Sequence, residues 1–152
     1  MGHRFQIGDQ VVQLRAHGTR DDVVHAHRNG REEDLSRATD IPLGDGVPNM
    51  VKYALGLSAW TQGTGSHVEM GSITISNHSY LSATYKRPEP APSGIGYLVE
   101  MTSDLQGSGW TTNGTVVEVG ELNNNLRTVC GRDLSPIGMT NARFLQFKVR
   151  GP

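Results

Sequence analysis

The run Ile41–Leu57, IPLGDGVPNMVKYALGL, holds the residues whose types and spacing come nearest to a defined chemistry. A calcium loop of the EF-hand kind takes oxygen ligands at loop positions 1, 3, 5, 7, 9 and 12, with glycine at 6 for the sharp turn. Setting Gly46 at position 6 puts Ile41 at 1, Leu43 at 3, Asp45 at 5, Val47 at 7, Asn49 at 9 and Lys52 at 12. Asp45, Asn49 and the Val47 carbonyl would supply about three oxygens and Asp40 one more, where Ca2+ takes about 6–8. Ile41 and Leu43 are apolar, and Lys52 puts a cation where such a loop carries its bidentate acid. Asp40, Asp45 and Asn49 are therefore the candidate metal set. The same residues read more simply as a degenerate calcium-binding loop that keeps its shape without its ion. In that reading Gly46 makes the turn and Asp45 caps the helix that follows.

Other constellations are weaker. His25 and His27, in HAH, share one face if the run is extended, and with His17, Asp21 and Asp22 would form a transition-metal set. Their plain reading is solvated histidines in a polar stretch. No G-x-S-x-G elbow occurs; GTGSH (Gly63–His67) comes closest and lacks the second glycine. There is no phosphate-binding or dinucleotide glycine pattern. Glu100 and Glu118 could face one another across a sheet as a glycosidase pair does, although acids on strands usually face solvent. Cys130 reads as a small buried hydrophobe, with no activating histidine placed near it. Trp60, Trp110, Tyr80, Tyr85 and Tyr97 could stack on sugar rings. Trp110, beside a turn, reads first as a plug for the core.

The elements that would carry these residues follow from periodicity. Val47, Met50, Val51, Ala54 and Leu55 recur at i, i+3, i+4, i+7 and i+8, the spacing of one helical face. Pro48 suits the first turn, and Gly56 suits a left-handed stop. A helix this short is marginal alone, so it must dock. Strand patterns follow at Ser72–Ser76, Ser79–Arg87, Ile95–Asp104, Gly114–Gly120, Leu126–Gly131 and Ala142–Arg150. Within them Tyr97, Val99 and Met101 share a face, as do Leu145, Phe147 and Val149. Turn signals separate the strands, among them PEPAPSG, QGSG, NNN and SPIG.

The first 40 residues differ. They hold six of the eleven arginines, four of the six histidines, no lysine, and Phe5 as their one aromatic. RFQIGDQVVQL reads as a strand or hairpin, followed by a solvated loop or short helix up to Asp40, with part of the region disordered. The predicted organisation is a poorly structured or small N-terminal segment over 1–40 and a helix plus small β-sandwich over 41–152, fibronectin type III- or immunoglobulin-like. At 152 residues the chain can bury about 68–70% of its unfolded surface without staples. A net charge of −1 argues against nucleic acid as a partner. The single cysteine excludes an internal disulfide. No stretch resembles a signal peptide or reaches the roughly 20 apolar residues of a membrane span.

Three motifs in order carry a resemblance: GDGVPNMVKYALGL, then YLSATYKRPEPAPSGIGYLVEMTSDLQGSGWTT, then ARFLQFKVRGP. From Ile41 to Pro152 the chain resembles the C-terminal region of large exported or cell-surface proteins of Verrucomicrobia and related bacteria. Those carry a GDG-x-x-N-L-L-x-Y-A-L-G helix, a Y-x-V-E-x-S-x-D-L-x-x-W strand pair and a closing R-R-F-x-R-L-x-V. The resemblance implies a non-catalytic β-domain appended to a passenger protein, at the cell surface or secreted, with other cell-envelope proteins or polysaccharide as partners. The upstream passenger that accompanies the pattern is absent from this sequence, which is expected to be a fragment or small paralogue of a longer surface protein. Gly131 stands where the pattern has a β-branched residue, so the strand through Cys130 is expected to be interrupted there.

The expected function is thus a structural or interaction domain without catalysis and without a cofactor unless the Asp45 loop takes calcium. An extracellular polysaccharide-binding module and a small metal-dependent enzyme built on His25 and His27 are the alternatives. Met50→Ala or Leu55→Ala is expected to cost about 2–5 kcal/mol in chemical denaturation if the helical face is buried. Lys52, off that face, reads as a surface residue whose truncation costs under about 0.5 kcal/mol.

Overall fold

The computed structural model describes residues 39–139 and 142–151 in full, and strands at 4–7, 10–17, 25–28 and 31–34 through their backbone. The chain is mostly β, with one short helix. In order run β1 (Arg4–Ile7), β2 (Gln10–His17), β3 (His25–Arg28), β4 (Arg31–Asp34), α1 (Asn49–Ala54), β5 (Val68–Ile75), β6 (His78–Pro88), β7 (Gly96–Thr102), β8 (Thr115–Asn123), β9 (Leu126–Asp133) and β10 (Phe144–Arg150). Two four-stranded sheets, β1-β2-β10-β7 and β5-β6-β9-β8, make a sandwich-like pair, and β3 with β4 forms a separate two-stranded hairpin. Pairing is antiparallel except between β10 and β2, which run parallel with Leu145 opposite Val12 and Phe147 opposite Leu14.

Local chemistry accounts for the strands. β5 turns into β6 through Ser76 and Asn77, both at positive φ, and β8 turns into β9 through Asn124 and Asn125 in the same way. Two consecutive residues at positive φ are what a type I′ hairpin requires, and asparagine tolerates it best after glycine. Alternation then sends Leu81, Ala83 and Tyr85 of β6 and Val129 of β9 inward. Val99 of β7 and Leu145, Phe147 and Val149 of β10 meet them from the other sheet. The ring of Tyr85 lies between those of Tyr97, 5.5 Å away and nearly parallel, and Phe147, at 4.6 Å.

The helix docks as its spacing predicts. Val47, Met50, Val51, Ala54 and Leu55 are all 7% exposed or less and belong to the same core. It ends as a glycine-terminated helix should: Gly56 takes φ +69°, its N–H donates to Tyr53 O, and the Leu57 N–H donates to Lys52 O. The tyrosine hydroxyl of Tyr97 donates to Ala54 O, fastening β7 to the last turn.

Two expectations are corrected here. β9 runs unbroken through Gly131, which pairs with Ala83 on one side and Val117 on the other. Glycine is there because the opposite sheet comes too close for anything larger: a Cβ would lie 2.7 Å from Val99 Cβ. Valine is stiff at χ1 and cannot swing aside. Over 25–34, where a solvated loop or short helix was expected, the chain forms the β3–β4 hairpin; residues 29–30 and 35–38 lie outside the described residues.

Gly131→Ala should therefore destabilise the protein by about 1–3 kcal/mol in urea denaturation, the range for an overpacked core. Adding Val99→Ala should cost less than the sum of the two single changes. Strict additivity would show that the two residues do not compete for the same space.

Candidate functional site

The loop ahead of α1 is shaped by glycine and closed by backbone bonds. Gly44 and Gly46 take φ +61° and +79°. The Gly44 N–H donates to Ile41 O, and the Asn49 N–H donates to Asp40 O. Asp40 and Asn49, two of the three candidate metal ligands, thus meet through their backbones.

Asp45, the third, is at the centre of a buried knot. Its Oδ1 accepts the Val47 N–H at 3.0 Å. Its Oδ2 accepts the Lys52 ammonium at 2.7 Å and the Gly63 N–H at 2.8 Å. The Lys52 Nζ also donates to Ala59 O at 3.1 Å. The two charged side chains are 0% and 1% exposed. Burial pushes the Asp45 carboxyl up, but the Lys52 ammonium and the Val47 and Gly63 amides together outweigh it and hold the group below its ordinary range. The loop therefore carries a cation covalently: the residue at its twelfth position reaches back to the carboxylate at its fifth. That settles the geometry of the helix start. No side chain caps α1, whose N-cap is Pro48, and Asp45 makes a local turn with Val47 instead of the expected helix cap. Lys52 is not the surface residue its position on the helix suggested; it is among the most deeply buried side chains described.

A second knot was not foreseen. Asp133, 1% exposed, accepts both Nε and Nη2 of Arg143 at 2.5 and 2.6 Å, and the Ser135 N–H at 2.9 Å. It ties the end of β9 to the approach of β10. Only an Asp at the end of a strand pattern and an Arg before the next mark it in the sequence.

The other candidates do not converge. Glu100 and Glu118 sit in different sheets, on β7 and β8, so they do not face each other as a glycosidase pair would. Glu100 is nearly buried rather than solvent-facing, and its Oε2 accepts Gln146 Nε2 at 2.7 Å, with Lys148 Nζ 3.8 Å away. Glu118 pairs with Arg132. Cys130 is half-buried. Among the described residues no three His, Cys, Asp or Glu side chains gather closely enough to hold a metal ion. His25 and His27 lie on β3 and His17 ends β2; Asp21 and Asp22 lie outside the described residues.

Of the aromatic set, Tyr85 is core, and burial pushes the hydroxyl of Tyr97 up to about 12. Arg132 covers the Tyr80 ring at 5.1 Å. Trp110 is half-buried and takes no part in the core cluster, so it is not the plug expected of it. Trp60 stays 49% exposed and Tyr53, which the sequence reading passed over, 52%.

No helix among the described residues is long and apolar enough to cross a membrane. No family model matches the chain, nor does any curated protein or solved structure.

Lys52→Met should cost about 3–5 kcal/mol, because it leaves a buried carboxylate without its cation. The double variant Asp45→Asn/Lys52→Met should lose less than Lys52→Met alone. The folded pKa of Asp45 lies below the ordinary value of 3.8, so the pair's contribution is full above that value and is lost as pH falls through the lower one. Melting curves should lose stability below about pH 4 in the wild type, and the double variant should lack that component.

Proposed function

We propose that this chain is a non-catalytic, shape-holding domain of a longer bacterial protein, secreted or displayed at the cell surface, where it spaces or presents a passenger. One observation supports this above the others: Lys52 with Asp45 and Asp133 with Arg143 are spent in ion pairs that fasten loops to strands and helix, and the buried Glu100 is held by Gln146. Charges set up for catalysis would instead be left to meet a substrate. The motif order over Ile41–Pro152 supports the surface setting. The strand order supports an immunoglobulin-like reading of the sandwich. Taking β5 to β10 as strands A to F, β5-β6-β9-β8 is the A-B-E-D order and β7 beside β10 is the C–F pair. In the place of the last strand, G, stands β2.

A polysaccharide-binding reading draws on a different feature. The Lys52 Nζ–Ala59 O bond joins two residues whose immediate neighbours, Tyr53 and Trp60, are the exposed aromatics of the helix–loop unit. Two exposed aromatic side chains, of the kind that can stack on sugar rings, thus belong to one tethered segment.

Antibody raised against the purified chain should label intact source cells; labelling only after permeabilisation would sink the surface assignment. The chain should turn over no chromogenic ester, glycoside or peptide. A turnover that survives purification and disappears in Glu100→Gln would overturn the non-catalytic reading. Retention on extracellular polysaccharide that is lost in both Trp60→Ala and Tyr53→Ala would select the second reading.

A further inference from the structure

The two four-stranded sheets are stacked one strand out of step. β10 lies on β6, where Phe147 meets Tyr85, and β7 lies on β9, where Val99 meets Gly131. β8, the next strand beyond β9, has no strand of the other sheet over it among the described residues. Its register shows which side chains this leaves uncovered. Val117 is opposite Gly131 and Val119 opposite Val129, and both partners face the other sheet, so Val117 and Val119 face inward too. An irregularity between Val119 and Leu122 then shifts the pairing by one residue, and Leu122 comes opposite Arg127, two before Val129. The bulge thus keeps Leu122 on the same face as the valines. Yet Val117, Val119 and Leu122 are 50%, 64% and 49% exposed. They make an apolar row on the inner side of the sandwich that is left open to water.

We propose that the row is the centre of a symmetric dimer, in which the β8 strands of two copies of this chain pack on one another. What the row lacks is an extended strand beside β7, apolar on its inner face. The edge of β7 is prepared for one. Met101 exchanges both backbone bonds with Thr111 on the side away from β10, and alternation turns the N–H and C=O of Val99 and Tyr97 the same way. The Val99 carbonyl accepts the Thr115 hydroxyl there. The Tyr97 backbone groups, one step further on, meet no partner on that side among the described residues. Direction fits as well. Tyr97 stacks on Tyr85, whose neighbour in β9 is Val129, and Val99 lies on Gly131, so β7 runs the same way as β9 and opposite to β8. A two-fold axis along the strands, passing between two β8 rows, turns one copy over without reversing its strands. It lays the partner's β8 beside β7, antiparallel to it, at the level where Tyr97 and Val119 coincide. The same rotation lays β8 beside β7 of the partner, so one patch serves both sides and the pair is closed. Two copies joined β7 to β7 would instead drive their projecting β8 strands into one another. Burial costs the row no charge: its members are uncharged, and Glu118, on the other face of β8, pairs with Arg132. The dimer concerns neither catalysis nor location, so it stands or falls independently of the surface-domain reading.

The test uses the full chain in analytical ultracentrifugation over a range of concentrations. The wild type should pass from one chain to two and stop there. Val119→Lys and Leu122→Glu should each weaken this association by about a hundredfold or more, because symmetry counts every substitution twice. Both positions are open to water in the single chain, so circular dichroism and melting of the variants should match the wild type at low concentration. Leu134→Lys and Met139→Lys, at exposed apolar positions away from the row, should leave the dimer unchanged. Amide hydrogen exchange at Tyr97 and Val119 should slow as concentration rises, while exchange along β5, the edge at the far side of the same sheet, should not. The proposal is overturned if the wild type stays a single chain up to about 1 mM, if it grows without limit beyond two, if Val119→Lys dimerises as tightly as the wild type, or if the concentration-dependent protection falls on β5. It is overturned equally if the row takes up an extended segment of another protein while two copies never pair.

Discussion

The contact between Lys52 and Asp45 is the one on which the described architecture turns. A buried ion pair contributes little net stability compared with a well-packed apolar pair, yet it is severe on alternatives, because either charge left alone in the interior is very costly. Here the pair joins four places at once: the glycine turn before α1, the helix itself, the carbonyl of Ala59 and the amide of Gly63. With those fixed, the apolar face of α1 has one seat on the sandwich. The helix in turn offers its last carbonyls to Tyr97 and His67, so the knot reaches both sheets through hydrogen bonds of modest strength.

The Asp133–Arg143 pair applies the same logic at the opposite end of the chain. It is bidentate, the strongest geometry open to a carboxylate and a guanidinium, and it pins an irregular passage between two core strands. A fold of this size with 19 glycines and 7 prolines has many turns to hold in place. Buried charges do so with directional bonds that an apolar contact cannot supply. This is why the ionisable groups one would first suspect of chemistry are found holding backbone.

The six strand patterns between Ser72 and Arg150 were legible in the sequence because each is local: alternation shows the inward face, and asparagine or glycine shows the turn. The helix was legible for the same reason. The burial of Lys52 was not, because its partners lie seven residues back and seven ahead and come together only once the loop has folded. Gly131 misled because a glycine in a strand weakens it locally, whereas its cause, the closeness of Val99, belongs to the other sheet. In the charged N-terminal stretch the Asn29-Gly30 signal for a hairpin was present, and the surrounding arginines and acids obscured it. Of the candidate site residues, Asp45 has the Lys52 ammonium as its charged partner, a contact that spacing alone does not reveal.

The parallel pairing of β2 with β10 has a consequence for how the molecule is made. The two strands are separated by about 130 residues, and no short-range contact can stand in for their meeting. Loop closure over such a distance must precede any reward from the contact, and this slows folding in proportion to how non-local the topology is. The hairpins β5–β6 and β8–β9 can form as soon as they leave the ribosome. β7, by contrast, waits without a strand partner in its sheet until β10 is synthesised, and β10 in turn is completed only by a strand made long before it. Assembly of this sheet accordingly follows that of the local hairpins, and the interval before it is when neighbouring molecules have their best opportunity to trade strands.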